Sequence, residues 1–144
     1  MKPKHGAALT CMAEYAINIA KEKAAIAHST LGTMVQTTPE IRLKQHYHAC
    51  LEHYTDAMDN IEKVQKSYET KDFFGMNIAA SALMTNVDDC ETSEAPGYDP
   101  SVDLKRKNEE LEYASIILMI LANQLGGRHK TCLWKVQYFN IFGR

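Results

Sequence analysis

The sequence predicts an all-α fold, an up-down-up-down four-helix bundle. Glycine and proline are scarce, at 7 and 4 of 144 residues, which favours long helices over turn-rich β structure. Four segments carry apolar residues at spacings of three and four, as in helices with one buried face. Short connections separate them, so consecutive helices are expected to pack antiparallel. The bundle is predicted to occupy residues 6–126, followed by an atypical tail at 127–144.

The first helix is predicted over residues 6–31. Its inward stripe is rich in alanine, and small side chains allow a neighbouring helix to approach closely. This stripe consists of Ala13, Ala16, Ile17, Ala20, Ala24 and Ala27. Gly32 is expected to end the helix, because glycine is favoured just past a helix C-terminus.

The second helix carries a clear start signal and is predicted to run to about residue 68. Thr38 is expected as the N-cap, Pro39 suits the first helical position, and Glu40 favours the positive end of the helix dipole. The apolar face is traced by Leu43, Tyr47, Cys50, Leu51, Tyr54, Met58, Ile61 and Val64.

Two further helices complete the predicted bundle. Asp72 is expected to cap a third helix over residues 72–87, and the prolines within 90–101 indicate a loop. The last helix is predicted over 102–125, before a pair of glycines. The inward positions are predicted to be Phe73, Met76, Asn77, Ala80, Leu83 and Met84 on the third helix, and Leu104, Leu111, Ala114, Ile117, Leu118 and Leu121 on the fourth.

The tail differs in character from the four helical segments. It begins with basic residues and continues with aromatic and aliphatic residues that follow no helical period. Two alternatives stay open: the tail docks on the bundle, or it is an appendage without a role in the fold.

Composition excludes several classes of function. The net charge is −2, so no basic excess indicates nucleic-acid binding. No apolar run reaches the length of a membrane span, and no secretory signal is recognised at the N-terminus. The sequence contains no glycine-rich phosphate loop and no nucleophile elbow, so neither an enzyme nor a cofactor is expected.

The cysteines and histidines leave two interpretations open. In an antiparallel hairpin Cys50 and Cys90 lie at comparable heights, so they form either a disulfide or two buried thiols. Alternatively, His46, Cys50 and His53 share a helix face and present zinc-type ligands. Cys11 and Cys132 have no assigned state.

Acidic residues offer a further possible chemistry. Asp56, Asp59 and Glu62 recur at helical spacing, and paired carboxylates serve as acid and base in glycoside hydrolysis. A solvated helix face is the preferred interpretation of the same pattern.

Four segments together resemble the plant invertase and pectin methylesterase inhibitor domain family. They are residues 50–59 (CLEHYTDAMD), 71–73 (KDF), 80–86 (ASALMTN) and 89–91 (DCE). The resemblance implies a secreted four-helix bundle that blocks the active-site cleft of a cell-wall carbohydrate enzyme. It also implies a disulfide between Cys50 and Cys90, in the position of the family's last cysteine pair. The sequence departs from the family by lacking its N-terminal helical hairpin and signal peptide, so an N-terminally truncated member is expected.

The resemblance further implies a partner-binding face on the second and third helices. The residues expected to form it are Tyr54, Asp56, Lys71, Asp72 and Phe73, with aromatic anchors and charges for steering. The expected target is pectin methylesterase in the extracellular cell wall, and acid invertase is the alternative target. A metal-binding bundle and an inactive family member are the remaining alternatives.

Overall fold

The computed structural model describes residues 5–92 and 102–127. These residues form four α-helices: α1 (His5–Thr37), α2 (Ile41–Glu69), α3 (Phe73–Thr92) and α4 (Val102–Gly126). Each helix packs against two neighbours, in the cyclic order α1, α2, α3, α4. Residues 128–144 of the predicted tail and most of the predicted 90–101 loop lie outside the described residues.

The cross-helix contacts show that every neighbouring pair is antiparallel. Lys21 pairs with Glu62 and His28 contacts Thr55, so α1 and α2 run in opposite directions. Between α2 and α3, Asn60 donates to Asn86 and Cys50 is bonded to Cys90, so these two helices also run in opposite directions. Between α3 and α4, Asn77 contacts Asn123 and Cys90 lies beside Asn108, which gives the same result. Helices α1 and α4, which are joined by the Lys23–Glu110 ion pair, are then antiparallel as well. The predicted up-down-up-down bundle is therefore confirmed.

The alanine stripe of α1 faces the core as predicted, and all six of its members are buried. The predicted end at Gly32 is wrong, because the helix continues to Thr37. A Cβ at Gly32 would meet no atom within 4 Å, so no close packing explains this glycine. Pro39 lies two residues beyond the observed end, and a proline disfavours helical geometry in the residue before it.

The start of α2 also differs from its prediction. Glu40, rather than Thr38, is the N-cap, and its carboxylate accepts hydrogen bonds from the backbone N–H groups of Arg42 and Leu43. Pro39 therefore precedes the cap instead of opening the helix. Within α2, the predicted inward Met58 is 37% exposed.

The later helices extend or shift their predicted faces. α3 continues past residue 87 because Val87 and Cys90, three residues apart, keep the buried stripe facing the core. Cys90 therefore lies within the helix rather than in a loop. On α4 the predicted inward Ile117 is 47% exposed, while Leu118 beside it is buried.

Candidate functional site

A disulfide ties α2 to α3 inside the bundle. Cys50 and Cys90 are both fully buried, with Cα atoms 4.6 Å apart and a sequence separation of 40. The separation of the Cα atoms falls within the range that a disulfide spans. The disulfide interpretation of this pair is therefore confirmed, and the alternative of two free thiols is wrong. Cys11 is an exposed free thiol, and Cys132 lies outside the described residues.

A buried polar contact beside the disulfide brings in α4. The hydroxyl of Tyr54 donates to the Oδ1 atom of Asn108 at 2.5 Å, and the Nδ2 atom of Asn108 lies 3.9 Å from the Sγ atom of Cys90. Tyr54 is 0% exposed and Asn108 is buried. Burial raises the pKa of the Tyr54 phenol, and the negative charge of Glu91 raises it further. We call the set of Cys50, Tyr54, Cys90 and Asn108 the buried cluster.

This burial corrects the prediction that Tyr54 anchors a partner. A side chain with no exposed surface cannot contact another protein while the bundle stays folded. Tyr54 instead joins α2 to α4, and its hydroxyl obtains its hydrogen bond inside the molecule. The placement of Tyr54 on the apolar face of α2 correctly predicts this burial.

The zinc-site alternative is also wrong. Cys50 is held in the disulfide, so it has no thiolate to offer a metal. His46 is buried, with its Nε2 atom 3.7 Å from the Sγ atom of Cys50, whereas His53 is half-buried. Within residues 5–92 and 102–127, no group of three histidine, cysteine or acidic side chains is arranged to hold a metal ion.

The turn between α2 and α3 presents the predicted charged residues to solvent. Asp72 caps α3, accepting a hydrogen bond at its Oδ1 atom from the backbone N–H of Gly75 at 2.9 Å. Lys71 has a φ of 58°, in the left-handed region that non-glycine residues rarely adopt. Both side chains are exposed, so their charges are accessible.

The two phenylalanines that follow the turn lie in different environments. Phe73 is partly buried and packs against the core. Phe74 is 79% exposed, the largest exposed fraction among the exposed large hydrophobic side chains of the described chain. The sequence-based site included Phe73 and missed Phe74. The signal that distinguishes them is helical phase, because Phe73 and Met76 lie three residues apart on the inward side, with Phe74 turned away.

Asp56 belongs to a separate part of the exposed surface. It lies on α2, about 20 Å along the helix axis from Glu69, where the helix ends before the turn, at the standard helical rise. Asp59 is exposed on the same helix, and Glu62 forms an exposed ion pair with Lys21 at 3.1 Å. The structure therefore brings Lys71, Asp72 and Phe73 together but leaves Asp56 distant. The acidic residues form a solvated helix face, not an enclosed acid-base site.

The chain is similar to plant inhibitor proteins. A family model for plant invertase/pectin methylesterase inhibitor matches residues 2–120. The chain is 27% identical over 117 residues to the pectinesterase inhibitor of Actinidia deliciosa, covering 81% of this chain and 63% of that protein. It is 28% identical over 116 residues to pectinesterase inhibitor 2 of Arabidopsis thaliana, covering 80% and 66%. The chain thus spans about two thirds of the length of these curated relatives.

Solved structures share the fold. The crystal structure of a pectin methylesterase inhibitor from Arabidopsis thaliana superposes with a TM-score of 0.76 at 19% identity, covering 86% of this chain and 80% of that one. A mutant form of a pectin methylesterase inhibitor from Arabidopsis gives a TM-score of 0.76, covering 80% and 77%. None of the helices within the described ranges is long and apolar enough to cross a membrane. With the family match over most of its length and this shared bundle, the chain belongs to the plant invertase/pectin methylesterase inhibitor family.

Proposed function

We propose that this chain is a proteinaceous inhibitor of pectin methylesterase. The observation that carries the proposal is the family match over residues 2–120, together with curated relatives named as pectinesterase inhibitors. Those names favour pectin methylesterase over acid invertase as the target. The proposed inhibitor acts by covering the active-site cleft of the enzyme, so it needs no catalytic residues of its own. The proposed place of action is the extracellular cell wall.

The proposed binding surface is the solvent side of α2 and the α2–α3 turn. Lys71 and Asp72 provide accessible charges there, and Asp56 extends the surface along α2. Phe73 remains part of the proposed surface because its side chain is only partly buried. Phe74 adds an aromatic side chain that is largely exposed. An aromatic group that is exposed in the free protein gains most when a partner removes it from water.

The disulfide supports this surface by fixing α2 against α3. It lies about 29 Å from the turn along α2, as judged from Cys50 and Glu69 at the standard helical rise. The cap at Asp72 fixes the near end of the pair. A surface that is ordered before binding loses less conformational entropy on association.

An inhibition titration tests the proposal directly. The full oxidised chain is added in increasing amounts to a plant pectin methylesterase, and to a plant acid invertase in parallel. We expect pectin methylesterase activity to fall to its minimum near equimolar inhibitor, with invertase activity unchanged. Inhibition of invertase alone would replace the proposed target. No inhibition of either enzyme by a folded, oxidised chain would overturn the proposal.

Substitutions locate the surface without disturbing the fold. Asp72→Asn removes the charge but keeps the helix cap, because asparagine caps as well as aspartate. Phe74→Ala removes an exposed ring and leaves no internal cavity. We expect the first variant to slow association and to weaken its dependence on salt, and the second to speed dissociation.

Tyr113→Ala serves as the matched control for Phe74→Ala. Tyr113 is 64% exposed but lies on α4, away from the proposed surface. The Tyr113→Ala variant should inhibit pectin methylesterase as strongly as the unsubstituted chain does. If Tyr113→Ala weakens inhibition while Phe74→Ala does not, the enzyme binds the opposite side of the bundle.

A further inference from the structure

An apolar groove runs along the seam between α1 and α4, on the side of the bundle away from the proposed inhibitory surface. Exposed Met12, Tyr15 and Ile117 lie in its walls, at 54%, 69% and 47% exposure. Beside it, Ile120 and Tyr113 add further exposed apolar surface on α4. The full lining is apolar apart from the tyrosine hydroxyl and also includes Ile19, Ala114 and Leu121. Exposed apolar surface grouped on one face is typical of places where another chain segment or protein binds.

The groove lies close to the point where α4 ends. Along the axis of α4, Leu121 in the groove wall lies about 9 Å from Gly127 at the standard helical rise. Ala114, at the far end of the groove, lies about 20 Å from Gly127. An extended chain advances about 3.3 Å per residue. Residues that follow Gly127 can therefore fold back and reach every part of the groove within seven positions.

Residues 128–144 have the composition that such a groove requires. After a short basic stretch, the segment contains four aromatic and three aliphatic side chains that its sequence pattern assigns to no amphipathic helix. They are Leu133, Trp134, Val136, Tyr138, Phe139, Ile141 and Phe142. Trp134 follows Gly127 by seven positions, which places the bulkiest ring within reach of the whole groove.

We propose that residues 128–144 dock into the α1–α4 groove, with Trp134 seated between Tyr15 and Ile117. Removing a tryptophan side chain and the two groove walls from water would supply the driving force. The ion pair between Lys23 and Glu110, at 3.0 Å, bridges the two helices beyond Ile19 and closes the far end of the apolar surface. This inference is independent of the proposed inhibition, because it concerns the opposite side of the bundle.

Trp134 makes the test direct, because it is the only tryptophan in the chain. Its fluorescence is measured in the full oxidised protein, together with quenching by acrylamide. We expect blue-shifted emission and protection from the quencher relative to N-acetyltryptophanamide. Emission and quenching equal to those of the free indole compound would overturn the proposal.

Two lysine substitutions separate docking in the groove from burial elsewhere. Ile117→Lys places a charge in the groove wall, and Ile78→Lys places one at a comparably exposed position on α3, at 55% exposure. Far-UV circular dichroism verifies that both variants keep their helices. We expect Ile117→Lys alone to shift Trp134 emission to the red and to increase quenching. Equal spectra for the two variants would contradict docking at this site.

A dilution series identifies the occupant. If the groove holds the chain's own tail, the emission of Trp134 stays constant on dilution and light scattering reports a single chain. A red shift on dilution, accompanied by loss of a dimer in light scattering, would show that a second copy covers Trp134 and would overturn the intramolecular proposal.

Discussion

Replacing Tyr54 with phenylalanine tests whether the buried cluster stabilises the bundle. The change removes one hydroxyl from a ring with no exposed surface and leaves the Oδ1 atom of Asn108 without the 2.5 Å hydrogen bond that it accepts. An unsatisfied buried polar group costs about 1–3 kcal/mol. For a chain of this size, such a loss lowers the melting temperature by about 3–10 °C. Urea unfolding of the oxidised protein measures the free energy directly.

Tyr113→Phe is the matched control, because it removes the same hydroxyl from a ring that is 64% exposed. Its cost should stay below about 0.5 kcal/mol. A second comparison adds Asn108→Leu to Tyr54→Phe. The double variant should lose less stability than the sum of the two single variants, since no buried amide is then left without its phenol partner. Equal losses for Tyr54→Phe and Tyr113→Phe would refute the role of the buried hydrogen bond.

Alkaline pH gives an independent test of the same group. Because the pKa of Tyr54 is higher in the folded bundle than its usual value near 10, its contribution to stability is fully present below pH 10. That contribution is lost as the pH rises further, with a slope of up to about 1.4 kcal/mol per pH unit. The unsubstituted chain should therefore lose stability more steeply above pH 10 than Tyr54→Phe. Parallel pH profiles would show that the phenol titrates alike in both states.

Three further changes probe the disulfide, the helix cap and the turn. Replacing Cys50 and Cys90 with alanine opens a loop with a sequence separation of 40 and should cost about 4 kcal/mol in urea unfolding; an unchanged midpoint would contradict this. Asp72→Ala should lower stability by about 1 kcal/mol in a thermal melt and Asp72→Asn by only a few tenths, so equal losses would exclude the cap. Lys71→Gly should raise stability by about 0.5 kcal/mol and Lys71→Val should lower it, because φ is 58° at this position; the reverse order would exclude backbone strain.

The buried faces of the helices could be predicted from the sequence because their apolar residues recur with the helical period of about 3.6 residues. The alanine stripe of α1 and most inward positions of the other helices are buried as predicted. Met58 and Ile117 were misassigned because each lies at the edge of its apolar stripe. At an edge, exposure depends on how closely the neighbouring helix approaches, and the sequence of one helix does not contain that distance.

Helix ends were harder to predict because several residues compete for each cap. Thr38, Pro39 and Glu40 all carry N-terminal signals, and the preference for threonine as a cap did not decide the position. Glu40 caps α2 because its longer side chain reaches two backbone N–H groups. The end of α1 was predicted at Gly32, but a glycine destabilises a helix by only about 1 kcal/mol. The packing of the long α1 helix offsets this cost, so the helix continues to Thr37.

On the candidate surface, the family resemblance identified the segments, but side-chain burial corrects which aromatic residue is exposed. Resemblance selected Tyr54 as an anchor, yet Cys50 and Ala57, four residues before it and three after, share its buried face. By the same helical phase, Phe74 rather than Phe73 carries the exposed ring at the turn. A motif identifies which segment matters, but the phase of its helix decides which side chain a partner can contact. For this chain, the proposed aromatic contact therefore lies on the first turn of α3, at Phe74, rather than on α2 at Tyr54.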